Sequence, residues 1–246
     1  NRDPAGGFSG KFSGLPDVFA ESSLSDIPMK SLSLIVSLFL TGLACAAPDK
    51  GFTLLFNGKD LTGWKRVNGL AEYKVKDGCI IGDGNEVKDN TFLRTEKTYK
   101  DFDFRFETKF DDLTGNSGMM FRGLQYPGED GRVNGYQCEH DQTKARAWTA
   151  CLYDEARRGW LAPMKDNKEQ EKAATELGQK IIKWDDWNKI RILCQGKHLQ
   201  IWLNGTQTVD FTDNDPKFTP EGFFGLQVHS GKSCHVRWRN LEIKEL

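Results

Sequence analysis

Residues 135–160 read GYQCEHDQTKARAWTACLYDEARRGW, too charged and aromatic for a plain core strand and too poor in Gly, Pro and Ser for a plain loop. If Gly135–Asp141 is extended, Gln137, Glu139 and Asp141 point to one face and Tyr136, Cys138 and His140 to the other. Three polar side chains on one face need bulk water or a polar cleft. Taken alone, the strand fits either. Its company favours a cleft: GNSGMMFRG brings Asn116, Ser117 and Arg122, YDEARRGW brings Tyr153, Asp154, Glu155, Arg157, Arg158 and Trp160, and LQVHSG brings Gln227 and His229. Planar hydrogen-bonding groups beside aromatic faces suit a sugar, and ligand pockets pair apolar walls with a few placed polar groups. Glu139 is the expected base, His229 a base or acid, and Arg122 or Asn116 a donor beside a developing oxyanion. Asn116, Gln137, Asp141, Trp148, Tyr153, Asp154, Arg157 and Trp160 are the expected binding residues.

Bland readings compete at several of these positions. Asp154 and Glu155 could simply pair with Arg157 and Arg158 in a loop network. Trp64, Trp184, Trp187, Trp202 and Trp238 read as core or rim packing, and His198 and His235 as structural or exposed. His140 alternates away from Glu139 and is left out of the site.

The elements that must position these groups read as β-strands. DFDFRFETKF alternates Phe102, Phe104 and Phe106 with Asp103, Arg105 and Glu107, the two-residue period of a half-buried strand. HLQIWLNGTQTVDF sets Asn204-Gly205 between two apolar runs, a hairpin signal because both turn positions tolerate positive φ. NKIRILCQ, FFGLQVHS and CHVRWRNLEIKEL are further strands. Only 166–177 has helix-forming composition, and it is polar all round, which suits a short exposed helix or loop insertion. Many short strands with little helix, and neither a linker nor a repeat, predict one all-β, antiparallel jelly-roll sandwich over 48–246.

The first 47 residues are not expected to join that fold. Met29-Lys30 precedes an apolar run near Leu32–Leu40 and then small residues around Ala44-Cys45-Ala46, the pattern of a signal peptide over 29–47. Cleavage is expected after Ala46 or Ala47, and residues 1–28 read as an upstream extension without a fold. Export to the periplasm or the outside follows, with a lipid anchor at Cys45 as the lesser alternative. Cys79, Cys138, Cys151, Cys194 and Cys234 remain, an odd number without a CxxC, and read best as small buried hydrophobes. A net charge of -1 gives no reason to expect nucleic acid or an anionic membrane surface as partner, and no membrane span is expected. No metal-ligand spacing stands out. No cofactor is expected, with a divalent metal left open.

The motifs GFTLLFNGKDLTGWK, GNSGMMFRG, GYQCEHD, ARAWTACLYDEARRGW, WDDWNKIRILCQGKHLQIWLNG and GFFGLQVHSGKSCHVRWRNLEI, taken in order from Gly51 to the C-terminus, resemble the 3-keto-disaccharide hydrolase family, long known as a domain of unknown function (DUF1080). The resemblance implies a concanavalin A-like jelly roll and, in secreted bacterial members, action on glycosides oxidised to a ketone at C3. Cleavage of such 3-keto-glycosides then leads. A lectin-like module without turnover is one alternative. An ordinary glycosidase is weaker, because Glu139 and Asp141 would sit side by side instead of flanking a bond.

Overall fold

In the computed structural model, residues 48–112, 115–127, 131–141, 143–164 and 167–246 are described. The expected signal peptide, the extension before it and Cys45 lie outside them. Among the described residues fifteen strands and one helix run in chain order: β1 Thr53–Leu54, β2 Trp64–Val67, β3 Glu72–Lys76, β4 Cys79–Val87, β5 Thr91–Thr95, β6 Phe102–Phe110, β7 Asn116–Gln125, β8 Val133–Asp141, β9 Leu152–Glu155 and β10 Gly159–Ala162. The helix α1, Lys168–Ile181, follows, and then β11 Asn188–Gln195, β12 His198–Leu203, β13 Thr206–Thr212, β14 Phe223–Val228 and β15 Gly231–Glu245. They form two antiparallel sheets, β13-β12-β11-β6-β15-β4-β3 with β1 added beside β15, and β10-β9-β8-β7-β14-β5-β2. This is the expected jelly-roll sandwich.

Alternation accounts for the core between the sheets. Phe102, Phe104 and Phe106 of β6 meet Phe121, Tyr136, Phe224 and Leu226 of the facing sheet, all buried. Phe104 and Phe224 lie 4.3 Å apart between ring centroids. Burying one such side chain contributes roughly 1.5–3 kcal/mol, so the β6 triplet fixes which face of that sheet turns inward. Asn204 and Gly205 form the tip between β12 and β13 with φ of 51° and 88°, as their types demand. Trp64 and Trp238 are core residues, whereas Trp184, Trp187 and Trp202 are half-buried. Among the described residues the five cysteines are all buried and none is in a disulfide.

The predicted helix is present but starts at Lys168, because the side chain of Asn167 caps it by accepting from the amides of Glu169 and Gln170. It also runs on to Ile181 and is not wholly exposed, since Ala174 and Gly178 are buried.

Two sheet features shape the ground around the site. Between β7 and β8 the register slips after Phe121–Tyr136, with Arg122 at φ 46°. Beyond that bulge the hairpin turns back across the outer face of its own sheet. Val133 clusters there with Val67, Phe92, Met120 and Phe223, and its amide donates to Asn68 Oδ1 at 3.1 Å although Asn68 follows β2 at the opposite edge.

Candidate functional site

The strand Gly135–Asp141 behaves as its alternation predicts. Tyr136 and Cys138 enter the core and His140 stacks on Phe106 with centroids 5.6 Å apart. Burial pushes the His140 imidazole down to about 4. Gln137, Glu139 and Asp141 face the other way, outward from the sandwich.

Glu139 is the centre of this outer face. It is 4% exposed. Its Oε1 accepts from Asn116 Nδ2 at 2.5 Å, its Oε2 accepts from Gln137 Nε2 at 3.0 Å, and Arg146 Nη2 lies 3.5 Å away. Burial raises the carboxyl to about 7 and the neighbouring Asp141 adds to the rise, while those three donors hold it from going higher. Gly118 opposite Glu139 makes the close approach feasible: a Cβ there would lie 2.4 Å from Gln137 Cδ. Asp141 is tied down beside Glu139, taking the amide of Thr143 and the guanidinium of Arg146.

An aromatic wall borders this centre. Tyr153 of β9 pairs with Gln137 on one side and Trp160 on the other. The Trp160 ring meets Tyr153 and Trp148 edge-on, both at 4.9 Å. Trp148 donates to Thr175 Oγ1 of α1 at 2.9 Å and carries the Arg146 guanidinium over its ring at 5.1 Å. The Tyr153 hydroxyl is shifted upward by burial and then by the charges of Glu155 and Glu139. By register Tyr153 stands opposite Gln137, between the levels of Glu139 and of Glu155.

The second carboxylate opens onto a cleft. Glu155, His229, Arg132, Asn90, Asn68, Phe92 and Val133 are among the residues lining a space of about 710 Å³. Asn68 Nδ2 donates to the Asn90 carbonyl at 2.8 Å and Asn90 Oδ1 accepts from the Ser230 amide at 2.9 Å, so two asparagines join three chain segments around the rim. His229 Nδ1 donates to the Ser230 carbonyl at 2.6 Å. A carbonyl only accepts, so Nδ1 carries a proton. Glu155 is 8% exposed, with Arg132 Nη2 at 3.8 Å. Burial raises its carboxyl, and Arg132, His229 and Asn90 oppose the rise.

The structure thus brings Glu139, Asn116, Gln137, Asp141, Trp148, Tyr153, Trp160 and His229 to one face of one sheet. Three expected residues are elsewhere. Arg122, fully buried, turns inward at its bulge and donates to the Lys100 and Gly196 carbonyls at 2.6 and 2.8 Å and to Asp101 Oδ1 at 2.8 Å. It pins the two sheets together and is no oxyanion donor. Asp154 opposes Tyr136 and follows it inward, where Arg157 and Arg158 hold its carboxylate. Arg157 is spent there and on Thr219 Oγ1 at 2.6 Å. The loop-network reading holds for Asp154, Arg157 and Arg158, but not for Glu155.

Two residues were missed. Glu155 follows from alternation on β9, since it is two residues from Tyr153 and must share its face. Arg146 lies in an irregular segment whose sequence carries no period, so only the fold reveals it. Among the described residues no three His, Cys, Asp or Glu are grouped to hold a metal ion, and no helix is long and apolar enough to cross a membrane.

Comparison with known proteins adds an independent line. The model of a 3-keto-α-glucoside-1,2-lyase-like domain matches residues 51–244. No curated protein matches the sequence. Among solved structures, a candidate glycosyl hydrolase from Parabacteroides distasonis is 22% identical, with 80% of this chain and 94% of that one covered at a TM-score of 0.54. The carbohydrate-binding module CBM66 from Bacillus subtilis is 19% identical, covering 74% and 96% at 0.52. A Bacillus subtilis protein of unknown function with a galectin-like fold is 12% identical, covering 82% and 96% at 0.56. At these identities the likeness establishes the fold.

Proposed function

Because the chain belongs to the 3-keto-α-glucoside-1,2-lyase-like domain family, a carbohydrate-related assignment, we propose that it cleaves 3-keto-glycosides by elimination across C1 and C2. A ketone at C3 acidifies the proton on C2. Glu139 takes that proton, and the electron pair delocalises onto the C3 oxygen as an enolate. The enolate then collapses: the C3 carbonyl re-forms, a double bond forms between C1 and C2, and the C1–O bond breaks with the departing oxygen taking a proton. Addition of water to the resulting enone completes a net hydrolysis.

The observation that carries this reading is the Glu139 carboxyl, buried on the outer face with Asn116, Gln137 and Arg146 at its oxygens, and burial raises it to about 7. A base poised near the working pH has the best product of ionised fraction and proton-accepting strength, worth about 10²–10⁴-fold when positioned. Asn116 and Arg146, already at its oxygens, are the donors for the enolate in place of Arg122, and comparable donors elsewhere are worth roughly 10²–10³ in rate. The half-exposed Trp148, Tyr153 and Trp160 supply faces for a sugar ring. No step in this scheme calls for a metal or organic cofactor.

The test is to incubate the purified chain with a 3-keto-glucoside and with its unoxidised parent, in heavy water. The reading requires aglycone release from the ketone only, and deuterium at C2 of recovered sugar. Efficient cleavage of the parent glycoside, or no label at C2, would return the case to a two-carboxylate glycosidase. Binding of both sugars without release from either would leave a lectin-like module.

A further inference from the structure

We infer that Glu155 is the acid that protonates the departing C1 oxygen, and that the 710 Å³ cleft it walls is the subsite for the departing group. The inference rests on the elimination reading and assigns the proton that reading leaves without a source.

Geometry carries it. Glu139 and Glu155 occupy neighbouring strands and the same face, with Glu155 opposite Gly135, four residues from Glu139. A chain of contacts links them: Asn116, on Glu139 Oε1, precedes Ser117, whose hydroxyl donates to the Gln227 carbonyl two residues before His229, and His229 lines the same cleft as Glu155. Tyr153 stands between the two glutamates in register, opposite Gln137. A sugar with C2 at Glu139 and O1 towards Glu155 sends whatever is bonded to O1 into the cleft beyond, where Phe92 and Val133 offer apolar surface and Asn90 and Arg132 offer donors.

The other acids of the neighbourhood are less suited. His229 spends its Nδ1 proton on the Ser230 carbonyl, so that proton is not free for O1. Asp154 is on the inner face under two guanidinium groups. Glu155 has the opposite setting. Burial favours its protonated form before the step, and Arg132 and Asn90 stand ready to stabilise the carboxylate after it. The balance is complete: the C2 proton passes to Glu139 and the Glu155 proton to O1, and in the later hydration of the enone Glu139 returns its proton to C2 while the water whose oxygen bonds to C1 gives a proton back to Glu155.

The experiment compares wild type with Glu155→Gln on 3-keto-glucosides whose departing groups range from 4-nitrophenol, which leaves without help, to methanol, which does not. C2 hydrogen–deuterium exchange is followed by NMR in the same samples. The expected loss grows from a few-fold with nitrophenol to about 10²–10⁴-fold with methanol, while exchange at C2 persists and reports an intact fold and base. An equal loss across the series, or loss of exchange together with cleavage, would overturn the assignment. So would a His229→Asn variant that shows the steep dependence in place of Glu155→Gln. Failure of the elimination reading looks different, because wild type itself then shows no exchange at C2, and the role given to Glu155 falls with it.

Discussion

On the inner face of β9 the Asp154 carboxylate is 0% exposed and takes one guanidinium on each oxygen, from Arg157 and Arg158, and Arg158 continues to Asp213 at 2.8 and 3.0 Å. One residue later, on the outer face, Glu155 has a single arginine 3.8 Å away and an open cleft. Both side chains are acidic and nearly equally buried, so burial alone does not separate their roles. Partner count does. A buried carboxylate matched by cations serves the fold, whereas one left short of partners holds its proton more readily and can exchange it with a guest. Glu139 belongs to the second kind, with two amides and one distant guanidinium where Asp154 has two close cations.

The contrast breaks most visibly in turnover. Glu139→Gln keeps the shape and removes the base, so kcat on a 3-keto-glucoside should fall by about 10²–10⁴-fold, and C2 exchange should vanish with it. Assays of both on the same preparation decide whether Glu139 acts at the proton or only in binding. Asp154→Ala should do the reverse. Removing one member of a buried ion network costs about 3–5 kcal/mol, to be read from urea unfolding, and activity per folded molecule should stay close to wild type.

A smaller effect sharpens the comparison through pH. The folded-state value of Glu139, about 7, lies above the ordinary 4.5, so the folded protein holds this proton more tightly than the unfolded chain does. Stability from this group is therefore full below about pH 4.5 and is lost as pH rises through 7. The loss is up to about 3 kcal/mol at 1.36 kcal/mol per unit. Glu139→Gln cannot ionise, so its stability relative to wild type should improve between pH 4 and pH 8 by up to that amount in denaturant titrations. The smallest effect concerns Arg146, which holds the Glu139 carboxyl down. Arg146→Met should move the rise of kcat/KM with pH to a higher pH.

Much of this could be read from residue types, for reasons that also mark the limit. Phe102, Phe104 and Phe106, Asn204-Gly205 and the 135–141 alternation are local patterns, and each is realised because a strand's period of two leaves no other way to bury those side chains. Arg122 was misplaced because a bulge inserts one extra residue and reverses the side its neighbour would take. Asp154 was misplaced because residue type outweighed alternation, which already separated it from Tyr153 and Glu155. Arg146 could not be found at all. Its position depends on the chain path between β8 and β9, where no hydrophobic repeat constrains the sequence.

The helix between β10 and β11 bears on how such a site could change. It touches the aromatic wall through Thr175, which holds Trp148, and it lies so close at Gly178 that a Cβ there would be 1.8 Å from the Ala147 carbonyl oxygen. Ala174 and Gly178 are its buried positions, Leu177 and Ile181 are half-buried, and most of the other positions face solvent. Drift in sequence is therefore cheapest on that solvent side and expensive where the helix meets Trp148 and Ala147. Under the proposed function, a change of bulk at 174, 175 or 178 is the place from which to shift the Trp148 ring while both sheets keep their cores.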